Sequence, residues 1–350
     1  MNVNPLAPGR IFASDNASGV HPRVMEALQA ANLGHQLGYG NDPYTERVRG
    51  LFKEVFGPGA ETFLLLNGTG SNVLALKGML RSHEAVCCSH EAHLLVDECG
   101  APENVIGCKL VALPVHQGKL DLPALEAHIR RVAGIQHHSQ PRVVSIAQAT
   151  ERGTVYHLDE LQAIVAVARR HGLLVHMDGA RIANAAVALG ISFKEMTADV
   201  GIDVVSFGGT KNGLMMAEAL VVLNPALVEA YPFIRKQGMQ LASKHRFLAA
   251  QYLAYFEGDL WRENAAHANA MARYLADGLS HFDEIALTAP VEANLVFATL
   301  PREWIQPLQQ ACNFNVWDAA RAEVRLIASF DTTREDIDAF LAEIHKLNQC

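Results

Sequence analysis

The sequence predicts an α/β fold in which a mostly parallel, seven-stranded sheet lies between helices and is followed by a smaller α+β lobe. Three observations predict it. Short apolar and β-branched runs alternate with helical patterns through the first two-thirds of the chain. Those runs are apolar at successive positions rather than alternate ones, as strands covered on both faces are. Near residue 230 the alternation gives way to long helices and then to two further strand runs.

The seven runs are ETFLLL (61–66), EAVCCS (84–89), KLVALPV (109–115), RVVSIA (142–147), LLVHM (173–177), IDVVSF (202–207) and ALVVL (219–223). The clearest helix between them is LDELQAIVAVARRHG, where Leu161, Ile164, Val165 and Ala168 follow i, i+3, i+4, i+7 and Gly172 supplies a stop. From 231 to 280 the chain reads as long helices, and ANLVFATL and VRLIASF follow as strands. The last helix opens on a capping box, Thr332 to Glu335, with Ile337, Phe340, Leu341 and Ile344 on one face. The expected organisation is an N-terminal segment (1–25), a large α/β domain (26–250) and a small C-terminal α+β domain (251–350), without repeats or a flexible linker.

Composition narrows the function classes. The 350 residues are 50% hydrophobic and 19% charged, enough for a sizeable core. Lys+Arg 29 against Asp+Glu 37 leaves a net charge of −8, and no basic run suggests a nucleic-acid partner. The opening MNVNPLAPGR lacks the apolar core of a secretory signal, and no apolar run approaches the ~20 residues of a membrane helix. Six cysteines (Cys87, Cys88, Cys99, Cys108, Cys312, Cys350) form no C-x-x-C pair and read as reduced thiols. The expectation is a cytosolic globular protein with no membrane partner and no metal site.

Three segments carry chemistry, each where a strand ends and an open α/β sheet places its ligand crevice. LLVHMDGAR runs into Asp178, followed by Gly179 and Arg181. IDVVSFGGTKNG runs through two glycines into Lys211, and a desolvated lysine there has a lowered pKa and can form a Schiff base. FLLLNGTGSN ends in Asn67-Gly68-Thr69-Gly70 before a helix expected near Ser71, whose free N–H groups suit an anion. Taken singly, Asp178 could be a turn aspartate, Lys211 a surface charge and the glycine turn a simple helix start. In this chain order they match what pyridoxal phosphate needs: an amine, a carboxylate for the ring nitrogen and a helix start for the phosphate.

With these segments, and with FASDNASG, GHQLGYGNDPYT, EAHLLVDECGAPE, KQGMQLASKHRFL, PVEANLVF and VRLIASFDTT, the chain resembles the low-specificity L-threonine aldolases of the pyridoxal-phosphate fold-type-I superfamily over nearly its whole length. The resemblance implies pyridoxal 5'-phosphate as cofactor. It also implies retro-aldol cleavage of L-threonine, L-allo-threonine and related L-β-hydroxy-α-amino acids such as L-phenylserine to glycine and an aldehyde. Lys211 would hold the cofactor covalently, Asp178 its pyridine nitrogen, Gly68 and Thr69 its phosphate, and His93 would stack on its ring. Arg181 would face a cofactor oxygen or the substrate carboxylate, and Ser14 and Arg325 would grip that carboxylate. Tyr39 and Asp42 would come from a loop closing the site, from this subunit or a neighbouring one, within a homotetramer built as a dimer of dimers.

The chain also departs from that pattern. Many relatives carry a histidine in the segment matching SIAQATER, where this chain has Gln148, Thr150 and Glu151. His137 and His138 of IQHHSQPR are the stand-ins, with His137 preferred by its distance from Pro141. The base for the β-hydroxyl proton is therefore one of His93, His137 and an ordered water. Glu98 either tunes the site or caps a turn, and either Arg235 or Lys236 would reach a neighbour's phosphate. The rival readings are β-elimination, transamination or racemisation on the same scaffold, and a non-catalytic binding protein.

Overall fold

Each apolar run forms a strand in the computed structural model, which describes residues 11–349; residues 1–10 of the expected N-terminal segment and Cys350 lie outside the described residues. In chain order the strands are β1 (Glu61–Leu65), β2 (Glu84–Ser89), β3 (Lys109–Leu113), β4 (Val115–His116), β5 (Lys119–Leu120), β6 (Gln140–Ala147), β7 (Leu174–Gly179), β8 (Val204–Gly208) and β9 (Glu218–Val222). The run expected as one strand over 109–115 is broken at Pro114, which has no N–H to give a ladder, and its far side forms the β4–β5 hairpin.

The large sheet has the order β1-β9-β8-β7-β6-β2-β3, and β9 alone runs antiparallel to its neighbours. Parallel register aligns Ala147 with Asp178 and Asp178 with Ser206, so the ends of β6, β7 and β8 share one edge. The helix Gly68–Met79 covers one face, packing Leu74, Ala75 and Leu76 on Val86, Val143, Val204 and Leu220. On the other face Phe207 is ringed by Phe52, Phe56 and Phe193 at centroid distances of 5.6, 5.4 and 5.1 Å, all near perpendicular. Edge-to-face pairs of this kind each add about 0.5–1.5 kcal/mol beyond burial, which anchors the end of β8 firmly.

The second sheet is antiparallel, with β10 (Ala286–Leu287), β11 (Leu295–Thr299), β12 (Asn315–Asp318) and β13 (Glu323–Ile327) in the order β10-β11-β13-β12. Its core gathers Leu275, Leu279, Val296, Leu326 and Phe340, with Phe12 from the N-terminal segment. Sequence periodicity finds β11 and β13 but neither edge strand, since β10 has two residues and β12 is polar and partly exposed. The last helix, Arg334–Asn348, is capped one residue later than expected. Thr333 accepts from Asp336 N at 3.1 Å and Asp336 accepts from Thr333 N at 3.0 Å, whereas Thr332 accepts from Ser329 N. No helix among the described residues is long and apolar enough to cross a membrane.

Gly208 sets how closely the strand ends approach. A Cβ there would lie 2.6 Å from the Ala180 carbonyl oxygen and 2.8 Å from Ala180 Cα, both backbone atoms that cannot step aside. Gly208→Ala should therefore force β7 and β8 apart at the edge carrying Asp178 and Lys211. The expected loss is about 1–3 kcal/mol, read as a lower urea midpoint at unchanged slope.

Candidate active site

A cavity of about 280 Å³ opens at the shared strand edge, lined by Lys211, Asp178, Arg181, His93, Glu98, Gly68, Asn72, Ser14, Glu151, Trp317 and Arg325 among others. Asp178 reaches it from the last turn of β7. Its Oδ1 accepts from Ala180 N at 2.9 Å and its Oδ2 from Asn72 Nδ2 at 2.8 Å. Lys211 follows β8 in a short 3-10 turn, Thr210–Asn212, anchored by Asn212 Nδ2 on Tyr255 Oη and on the Trp261 carbonyl. Burial, helped by the Arg181 charge, lowers the Lys211 pKa against the opposing pull of Asp15, Asp178 and Glu218. That shift favours the free amine needed for covalent attachment.

The anion cradle begins earlier than expected. Asn67 is the N-cap, its side chain accepting from Gly70 N at 2.7 Å, so the helix starts at Gly68 instead of near Ser71. The first-turn amides of Gly68 and Thr69 have no intrahelical acceptor, which suits a phosphate.

His93 opens the short helix His93–Val96 and borders the same cavity as Asp178. Its Nδ1 lies 3.0 Å from Glu98 Oε1, and its backbone N donates to Glu151 Oε1 at 3.0 Å. The Glu98 hydrogen bond raises the His93 pKa; burial opposes the shift and the Asp178 charge assists it. Glu98 is thus a partner for His93 as well as a residue before a turn. Asn72 joins the pieces, donating Nδ2 to Glu98 Oε1 at 2.8 Å as well as to Asp178. Asn72 is buried, and sequence reasoning missed it although it stands at the end of the NGTGSN motif.

Two arginines enter from different elements. Arg181 precedes the helix Ile182–Leu189 and forks onto Asp15, with Nε to Oδ2 at 2.7 Å and Nη2 to Oδ1 at 2.9 Å. Asn294 Nδ2 donates to the same carboxylate at 3.1 Å. Burial disfavours ionised Asp15, but Arg181 and Lys211 outweigh it and hold the carboxyl below its usual range. Asp15 was also missed, although it is adjacent to Ser14 in FASDNASG. Arg325, on β13, pairs with no carboxylate among the described residues; its Nε is buried without a partner and its guanidinium sits 5.0 Å from the Trp317 ring centre. Ser14 lines the same cavity while capping the turn Asp15–Ala17 through a 3.1 Å bond from Asn16 N.

Other expected residues lie elsewhere. His137 is exposed in the turn before β6 begins at Gln140, whereas the cavity lies past its other end at Ala147. Eight strand residues at about 3.3 Å each separate the two, so His137 and its neighbour His138 cannot serve the cavity of their own chain. Glu151 is the titratable group that does reach it from that segment, and burial pushes its carboxyl up to about 7. Tyr39 is 52% exposed at φ +60° beneath Lys236, outside the cavity of its own chain. Asp42 caps the helix Pro43–Phe56, accepting from Thr45 N at 2.9 Å. Arg235 is buried against Phe63, and neither it nor exposed Lys236 lines the cavity.

The donor set fits pyridoxal phosphate: a depressed lysine amine, a fixed carboxylate, a glycine helix start and an imidazole share one cavity, beside a guanidinium whose buried Nε lacks a partner. Glu98→Gln tests the His93 arm. Losing the carboxylate removes what stabilises the imidazolium, so His93 should titrate at lower pH than in the parent. Histidine NMR titration of the cofactor-free protein reads this directly, and an unmoved His93 signal would contradict the pairing.

Comparison with known proteins gives the chain relatives over nearly its whole length. Residues 12–302 match the family model for beta-eliminating lyases. The chain is 42% identical to a low specificity L-threonine aldolase of Pseudomonas aeruginosa over 95% of this chain and 96% of that one. A second such aldolase, from a Pseudomonas species, is 41% identical over the same shares of the two chains. A Leishmania major threonine aldolase structure superposes with a TM-score of 0.91 at 30% identity, covering 97% of this chain and 99% of that chain. The chain belongs to the beta-eliminating lyase family, within its low-specificity L-threonine aldolase branch.

Proposed function

We propose that this protein is a pyridoxal-phosphate-dependent aldehyde-lyase that cleaves L-threonine, L-allo-threonine and other L-β-hydroxy-α-amino acids to glycine and an aldehyde. The observation that carries it is the joint lining of one cavity by Lys211, Asp178, His93 and the unpaired Arg325. Pyridoxal phosphate, when bound, supplies the electron sink that accepts the pair released from the Cα–Cβ bond. Lys211 would hold the cofactor, the Asp178 carboxylate would keep its ring nitrogen protonated, and Gly68 and Thr69 would bind its phosphate. Arg325 would take the substrate carboxylate on its free guanidinium and so fix which Cα bond stands across the ring. His93, steadied by Glu98 on Nδ1, retains Nε2 to take the β-hydroxyl proton directly or through water.

No assigned residue clamps the substrate β-substituent; amine, carboxylate and hydroxyl are common to the whole class. An apolar pocket distinguishes one extra group by only about 1–3 kcal/mol. L-Threonine, L-allo-threonine and L-phenylserine should all give glycine, and their D-enantiomers should not. Ammonia with 2-oxobutanoate in place of glycine would instead make the protein an eliminating lyase. Lys211→Ala should abolish turnover, and Asp178→Asn should lose on the order of 10³-fold, about 4 kcal/mol in the barrier. Near-parental rates in either variant would refute its role.

The reading extends to assembly as a homotetramer. Leu33, Leu37, Phe233 and Met239 are 72–85% exposed, and Met25, Leu28, Met215, Met216 and Phe247 line an apolar groove. Apolar surface of this kind suits a second copy of the chain, and two-fold symmetry is the default for such contacts. A second copy would also give Tyr39 a cavity to reach. Light scattering should give a multiple of 38.1 kDa, and a fully active monomer would dismiss the shared site.

A further inference from the structure

The loop after β6 belongs to the large sheet, yet Gly153 and Val155 fasten it to the segment that leads into β11 of the small one. Val155 N donates to Glu292 Oε2 at 2.6 Å, and Ala293 N donates to the Gly153 carbonyl at 3.1 Å. Between these backbone ties and cavity-lining Glu151 stands Arg152, which plays no part in the chemistry derived above. Its Nε donates to Glu91 Oε1 at 2.9 Å, and its Nη1 donates to Glu323 Oε1 at 3.0 Å. Glu91 follows β2 in the large sheet, whereas Glu323 opens β13 in the small one. The guanidinium therefore joins the two sheets through a partly buried charge cluster, in which only Glu323 is fully buried, and both carboxylates hold it ionised against the cost of its burial.

The same guanidinium carbon lies 5.2 Å from the Phe297 ring centre and 5.3 Å from that of Trp317. Phe297 meets Trp317 edge to face at 5.3 Å, and its backbone is in register with Arg325. Trp317 falls where the β12–β13 register shifts, so its backbone is less constrained by the ladder than its neighbours are. Its ring is consequently placed by side chains, Arg152 and Phe297 among them. Arg325, two residues past Glu323 and on the same face of β13, lies over that ring and has no carboxylate to hold it.

We propose that Arg152 is a positioning residue for the substrate-carboxylate clamp: by pinning Glu323 and the Trp317 ring, it sets where Arg325 presents its guanidinium to the cavity. The proposal rests on the reading of Arg325 as the carboxylate ligand. Because the substrate carboxylate keeps its charge while the Cα–Cβ bond breaks, the ion pair with Arg325 holds ground state and transition state nearly alike, and only its aligning role reaches kcat. Loss of its positioning should then appear mainly in KM.

The test uses the holoenzyme and four variants: Arg152→Gln, Arg152→Lys, Trp317→Leu and Arg325→Gln. Arg152→Gln and Trp317→Leu should each raise the KM for L-threonine at least tenfold, with a smaller fall in kcat and no change in pyridoxal-phosphate affinity measured on the cofactor-free protein. Arg152→Lys keeps a charge between the two glutamates and should recover part of the loss. In the Arg325→Gln background, Arg152→Gln should add no further rise in KM, since there is no longer a guanidinium to place. If Arg325→Gln alone leaves KM unchanged, the carboxylate reading itself fails. If Arg325→Gln raises KM but Arg152→Gln adds its effect independently, or has none, the positioning role fails. Should Arg152→Gln not fold because Glu91 and Glu323 lose their cation, Trp317→Leu, alone and combined with Arg325→Gln, decides the same question without stranding a charge.

Discussion

Keeping one carboxylate charged and aimed at the end of a central strand is the constraint around which this molecule is arranged. Asp178 is only 8% exposed, so its charge must be supported by protein donors. β7 supplies rigidity, with every residue buried and a parallel neighbour on each side. The helix Gly68–Met79 contributes Asn72, and the close approach permitted by Gly208 brings Lys211 to the same edge. Two residues earlier on the same strand, His176 sits between Ser145 and Ser206, whose hydroxyls lie 2.9 and 3.0 Å from its ring nitrogens. Burial pushes its pKa down, so it remains a neutral spacer beneath Asp178. Asp178 therefore directs its charge into the cavity without an internal counter-ion below it.

The arginines divide the opposite task. Arg181 is already matched by the Asp15 carboxylate, a bidentate pair that costs little further once formed and helps hold the N-terminal segment against the helix Ile182–Leu189. Arg325 is half-buried with an unpartnered Nε, and burial together with the Arg181 charge disfavours its ionised form. A guanidinium kept short of partners is destabilising until an anion arrives. On the proposed reading, a substrate carboxylate would relieve that penalty, and the site would favour acids because the protein withholds its own. The surrounding aromatic faces supply stacking without supplying a competing carboxylate.

Much of this was legible in the sequence, and what was not has a physical reason. All seven strands of the large sheet were legible as apolar runs, the central ones because strands covered on both faces are buried throughout, whereas the edge strand β3 alternates buried and exposed residues. Lys211, Asp178 and Gly68 could be placed at one edge because parallel strands all end on the same side. The same rule excludes His137, which precedes a parallel strand while the cavity follows it; distance along the chain misled where strand direction decides. Asn72, Asp15 and Arg152 were unreadable as partners because their bonds span 106, 166 and 171 residues. Short polar edge strands such as β12 leave no periodicity, yet β12 carries Trp317, on which the placement of Arg325 depends.

Lys211 completes the contrast with Asp178. The Asp178 carboxylate receives two donors, whereas the Lys211 amine receives burial and a like charge nearby. The acid closest in sequence to oppose this is Glu218 on β9, whose Oε1 lies 3.3 Å from Thr210 N. Burial pushes its carboxyl up to about 7, so near neutrality it gives the ammonium form only part of a counter-charge. A fully ionised acid at that position would hold the proton on Lys211 and blunt its amine as a nucleophile. The same core that rings Phe207 with aromatics keeps Glu218 dry, through Tyr252 and Tyr255 packed behind β8 and β9. The electrostatics at Lys211 thus depend partly on packing around Phe207, Tyr252 and Tyr255, none of which lines the cavity.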